Sequence, residues 1–212
     1  LVLVVLVLGA LGLHAAQRIA SERERAERER EAGAALNALL NEDLLAAANP
    51  LRRPPGAPEV TVREALAQAE QAAPERLAAR PDLAMRVLTT LGQLRHEYGE
   101  YEAALALLER AIALGEGHGG DTEGLEAARG EAAAVRISMQ DFDAATALLQ
   151  PLVDALSARY GATSSEALIW RLRLLEARNG QGQHLETLPA LDALRIEADT
   201  ALGPRNAISA EA

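Results

Sequence analysis

The chain reads as all-α, with an α-solenoid of stacked helix pairs in its C-terminal two-thirds. Composition gives the class: alanine and leucine dominate 212 residues in which aromatics are only 2%, and β-branched runs are scarce after residue 13. Periodicity gives the elements, because apolar residues return every three or four positions, the mark of helices with one apolar stripe. Recurrence gives the architecture. Gly119, Gly161 and Gly203 stand 42 residues apart, with a helix-length stretch on either side of each. A helix pair with two apolar faces cannot bury both alone, so repeated pairs predict stacking on neighbours of the same kind.

Residues 1–16 open on Leu1 to Leu13, wholly apolar apart from two glycines. Thirteen helical residues reach about 20 Å, short of the roughly 30 Å hydrocarbon core of a bilayer. Because the run is already in progress at a first residue that is not Met, the expectation is a truncated transmembrane helix. A signal peptide ranks second, since a basic leader is missing and His14-Ala15-Ala16 is a poor cleavage site. A buried core helix ranks third.

Residues 17–49 follow as a charged juxtamembrane helix, in which Glu24 with Arg28 and Arg23 with Glu27 sit at i,i+4. Ile19 and Ala26 begin a heptad that Gly33 breaks, so a solvated helix is favoured over a dimerising stalk. Leu36, Leu39, Leu40, Leu44 and Leu45 extend an apolar face to Pro50. Residues 50–60, rich in proline, form a stiff linker. The repeat domain is then expected over residues 61–212. Thr61 and Glu64 have capping-box spacing, so a helix starts there and runs to about Arg76, with a turn at Arg80-Pro81.

From Leu83 to Ile112 the pattern is two helices folded back across Gly99-Glu100. Leu83, Val87, Leu88, Leu91 and Leu94 stripe the first; Ala104, Leu107, Leu108 and Ala111 stripe the second. Gly92 and Ala104 allow close approach, with Tyr101 and Leu108 filling the space beside them. The register then repeats: Tyr101, Phe142 and His184 each open the second helix of a pair, at spacings of 41 and 42. Leu108, Leu149 and Leu191 keep step, as do Ala111, Leu152 and Leu194.

Leu91, Gly92, Gly99, Tyr101, Ala104, Leu108 and Ala111 together resemble the tetratricopeptide repeat, and the 42-residue period is similar to the longer repeats of kinesin-light-chain-like arrays. Ala133 and Leu175 stand where Gly92 stands, Thr187 replaces Ala104, and Arg95 takes a usual tyrosine position. Residues 37–50 and 60–66 resemble the linker of large bacterial one-pass signalling proteins. There, a cytoplasmic serine/threonine kinase or winged-helix DNA-binding domain precedes a membrane helix and a repeat array. The resemblance implies a single-pass protein of the bacterial inner membrane with periplasmic repeats, acting as the sensor and protein-interaction region of a serine/threonine kinase. The same region of a winged-helix transcriptional regulator, or an envelope scaffold without an effector, is the alternative.

A formal net charge of −10 argues against a nucleic-acid partner. With no cysteine, thiolate catalysis and cysteine metal sites are excluded. His14, His96, His118 and His184 lack ligand spacing, so no metal or cofactor is expected. Gly115 to Gly120 has neither the strand nor the Lys-Ser/Thr of a phosphate loop. Ser164 and Ser165 have no base nearby in sequence, and Thr163 with Glu166 reads as a helix cap. Glu42-Asp43 lacks a pocket, and Trp170 reads as core. No catalytic residue is expected. What remains is the concave surface lined by the first helix of each pair, where Arg86, Gln93, His96, Glu176 and Asn179 are the candidate contacts for a protein or peptide ligand. Self-association into a homodimer is compatible with this layout.

Overall fold

The computed structural model describes residues 20, 23–24, 26–35, 37–38, 62–204, 206 and 208. All regular structure among them is helical. Residues 26–35 are helical, and seven helices follow: α1 (Val62–Arg76), α2 (Pro81–Glu97), α3 (Tyr101–His118), α4 (Thr122–Ser138), α5 (Phe142–Tyr160), α6 (Ser165–Gly180) and α7 (His184–Leu202). The chain divides into two compact units, Leu1–Val87 and Leu88–Ala212.

In the first unit Ala69, Ala73, Ala84, Met85 and Val87 are buried. Arg80 closes the turn before α2, with its carbonyl accepting from the Ala84 amide at 2.9 Å. Its guanidinium reaches Glu31 at 2.9 Å and Asp82 at 3.1 Å. That hydrogen bond holds the Asp82 carboxyl below the usual range, against the opposing effect of burial. The guanidinium of Arg28 donates to the backbone carbonyl of Glu24 at 3.2 Å.

The second unit is built on repeated turns. Gly99, Gln140 and Gly182 have φ of 73°, 61° and 86°. In each turn the next amide reaches back over six residues: Glu100 to Arg95 at 2.9 Å, Asp141 to Arg136 at 2.9 Å and Gln183 to Arg178 at 3.2 Å. This is the Schellman closure, which satisfies carbonyls that a helix end leaves open. Side chains brace two of the turns, with Arg95 paired to Glu100 and Arg136 to Asp141. In the third, Asn179 Oδ1 and His184 Nδ1 lie 2.6 Å apart. The alternate turns close on Gly119, Gly161 and Gly203, whose amides donate to Gly115, Ser157 and Asp199 at 3.1, 3.0 and 3.1 Å. Asp121 then caps α4 and Ser164 caps α6, accepting from Gly124 and Ala167 respectively. The expected Thr163 cap is therefore displaced by one residue, because Ser164 takes the extended backbone that presents its hydroxyl to the first turn.

From α3 to α7 each helix packs on the next, and α4 also touches α6. The interior is correspondingly distributed. Ala104, Leu108, Ala132 and Val135 form one cluster; Ala145, Leu149, Leu152, Leu156 and Leu174 belong to a second; Leu168, Leu172, Leu194 and Ala198 belong to a third. A Cβ on Gly92 would meet Leu108 Cγ at 2.7 Å, so this position admits only glycine without repacking. Thr187 occupies the buried small-residue position of Ala104 and Ala145, and its hydroxyl is satisfied by the Gln183 carbonyl at 2.9 Å.

The expected single-pass placement in an inner membrane, with periplasmic repeats, is corrected. Among the described residues no helix is long and apolar enough to cross a membrane. The longest, α5 and α7, have 19 residues each, but they carry exposed charges such as Asp154 and Asp192. Residues 1–16, expected to hold the transmembrane helix, lie outside the described residues, as do the linker at 50–60 and Thr61.

Candidate functional site

A groove of about 420 Å³ opens across the second unit. His96 contributes from the last turn of α2; Glu131, Ala134, Ile137 and Ser138 from α4; Ile169, Trp170, Arg173 and Glu176 from α6. The lining comes entirely from the first helix of successive pairs, and α4 and α6 touch one another as well as their chain neighbours. Helical spacing puts Glu131, Ala134 and Ser138 on one face of α4, and Ile169, Arg173 and Glu176 on one face of α6.

The floor is apolar. Trp170 is half-buried, and its six-membered ring lies so close over Gly130 that a Cβ there would meet Cη2 and Cζ2 at 2.4 Å. The missing side chain is what lets the indole lie flat in this space. Ile137 packs against the same interior cluster as Trp170, and Ile169 is 45% exposed at the groove edge. Phe142 repeats the device elsewhere, lying over Gly180 at the turn of the last pair.

The rim is polar. His96 Nε2 and Ser138 Oγ are hydrogen-bonded at 2.8 Å, linking α2 to α4. The His96 ring also meets Tyr101 edge-on, with centroids 5.7 Å apart. Arg173 pairs with Glu176 one turn along at 2.9 Å. Glu131, half-buried, has no hydrogen-bond or ion-pair partner among the described residues. The Ser138–His96 distance suits a nucleophile and its base, yet among the described residues no third group orients the imidazole. The hydroxyl sits on the last residue of α4. The groove thus has an aromatic and aliphatic floor between polar walls.

Compared with the known protein families and with the curated proteins, the chain matches none. Its site is therefore read from its own geometry.

Of the residues singled out in the sequence, His96 and Glu176 line this groove together. Gln93 is half-buried on α2, one turn before His96. Asn179 lies at the end of α6, where its carbonyl oxygen accepts from Thr187 Oγ1 at 3.2 Å and meets His184, so it closes a turn. Arg86 is half-buried in the part of α2 that belongs to the first unit. His184 is exposed rather than packed as an aromatic would be. His118 ends α3 with Nδ1 at 3.1 Å from the Leu114 carbonyl. Among the described residues no three histidine or acidic side chains converge as a metal site would require.

The middle pair, none of whose residues stood out in the sequence as a candidate contact, supplies as much of the lining as α6 does. A signal was there to use. Shifting Gln93 and His96 by 41 gives Ala134 and Ile137, and a further 42 gives Glu176 and Asn179. The same offsets carry Arg86 to Ala127 and then to Ile169. Apolar residues at the middle positions hid the equivalence, because a search for polar contacts skips them.

Proposed function

We propose that residues 61–212 form a tetratricopeptide-like α-solenoid that binds a protein or peptide segment along the face presented by α4 and α6. The observation that carries this reading is the groove itself: side chains from α2, α4 and α6 meet around a half-buried Trp170. An aromatic anchor beside aliphatic contacts and a polar rim is the composition of a recognition surface. The turns recurring at 41 and 42 residues, and the helix-to-next-helix packing, support the stacked architecture. The sequence resemblance supports a place in a bacterial signalling protein, with a serine/threonine kinase as the effector.

The test uses nuclear magnetic resonance. Peptides selected from a displayed library against the chain are titrated into the labelled protein. Backbone shifts are expected to cluster at Ala134, Ile137, Ile169 and Arg173, and the variant Ile169→Glu is expected to lose binding by tenfold or more. Shifts clustering on the outer faces of α5 and α7, or full affinity in Ile169→Glu, would remove the groove from the function.

A further inference from the structure

We propose that the segment accepted by the groove is basic, with a lysine or arginine set against Glu131 and an adjoining aliphatic or aromatic side chain on Trp170 and Ile169. This rests on the groove being a peptide site, and adds the chemistry of the peptide.

Five polar groups on the walls decide the sign. Arg173 and Glu176 pair with one another at 2.9 Å, and His96 and Ser138 are hydrogen-bonded to each other at 2.8 Å. Of the two wall carboxylates, Glu131 has no ion-pair partner among the described residues. Glu131 is half-buried and lines the groove, so any ligand covering the groove strips water from its carboxylate. A neutral or acidic ligand would leave that charge desolvated and unpaired, which is strongly unfavourable. A cationic side chain satisfies it with a charge-assisted hydrogen bond. Trp170, lining the same groove, offers an aromatic ring to the cation or to its methylene stem. The chain as a whole reinforces the preference, since its net charge of −10 draws basic segments and repels acidic ones. Nucleic acid is disfavoured by the same field.

The experiment uses the full chain and its single tryptophan, Trp170, as the reporter. Three pools of tryptophan-free nonapeptides are compared at low salt. Their other positions are randomised over small and apolar residues, and two central positions are fixed as lysine, glutamine or glutamate. The lysine pool is expected to shift Trp170 emission with at least tenfold higher affinity than the glutamate pool. In Glu131→Gln, shown folded by circular dichroism, that advantage is expected to shrink about tenfold while glutamine-pool affinity stays the same. Equal binding of all three pools, or an undiminished lysine preference in Glu131→Gln, overturns the basic-ligand inference and leaves the groove as a peptide site. No response to any pool overturns both.

Discussion

Gly130 shows how a single missing side chain shapes the site. Alanine is about 1 kcal/mol better than glycine in a helix, so the sequence holds a weak helix former in α4 against local preference. The reason is the Trp170 ring, which a Cβ would meet at 2.4 Å. Overpacking of that kind costs about 1–3 kcal/mol, more than the propensity gain. Gly130→Ala is therefore expected to lower stability by about 1 kcal/mol in urea unfolding and to shift Trp170 emission to the red as the indole is pushed toward water. An unchanged spectrum with raised stability would contradict the contact. Trp170 reads as core from sequence and is partly that, but its partner could not be seen because Gly130 lies 40 residues away with no periodic link to it.

Asp82 gives a pH signature in the first unit. Its carboxyl is held below the usual range by Arg80, so its folded value lies under the unfolded one of about 3.9. The stability it contributes is present above that unfolded value and is lost as pH falls through the folded one. In Asp82→Asn the urea midpoint should drop less between pH 6 and pH 3 than in the parent. An equal drop in both would contradict the pair. The effect is small, because both partners are partly exposed.

The helices are fixed by their ends more than by their stripes. Three turns share the same backbone closure, yet only two place glycine at the left-handed position; the middle one uses Gln140, at φ 61°. For a residue with a Cβ that conformation costs roughly 1 kcal/mol, partly offset by the greater freedom glycine has when unfolded. Gln140→Gly is expected to stabilise by about 0.5 kcal/mol, and Gly182→Ala to destabilise by about 1 kcal/mol, both read from urea midpoints. The opposite signs would mean the turns are not equivalent. Legibility followed the glycines. Gly99, Gly161 and Gly203 marked their turns openly, whereas the turn at Gln140 was found only through Phe142 in register with Tyr101. The cap at Ser164 was misplaced by one residue because Thr163 and Ser164 offer the same hydroxyl chemistry, and only backbone conformation chooses between them.

For the molecule as a whole, the all-helical character and the order of the pairs were legible because alanine, leucine and the 42-residue recurrence all point one way. The groove was only half legible. Two of its lining residues, His96 and Glu176, stood out as polar groups on first helices, while Glu131, Ile137 and Ile169 became meaningful only once α4 and α6 were seen to touch. Membrane placement could not be carried from sequence to structure, since the helices that are described are amphipathic and charged on one side.

The central claim is that the second unit holds together by nearest-neighbour packing of successive helices, which is what lays first helices side by side to form the groove. Leu194, fully buried in the last cluster, gives the most direct test. Leu194→Ala should cost about 2–5 kcal/mol, and in a stack that loss stays local. Amide hydrogen exchange of the full chain should speed up by two or more orders of magnitude across α7 and the adjoining face of α6, with α3 and α4 left at parental rates. A uniform acceleration from α3 through α7 would show a single closed core and contradict the stacked groove.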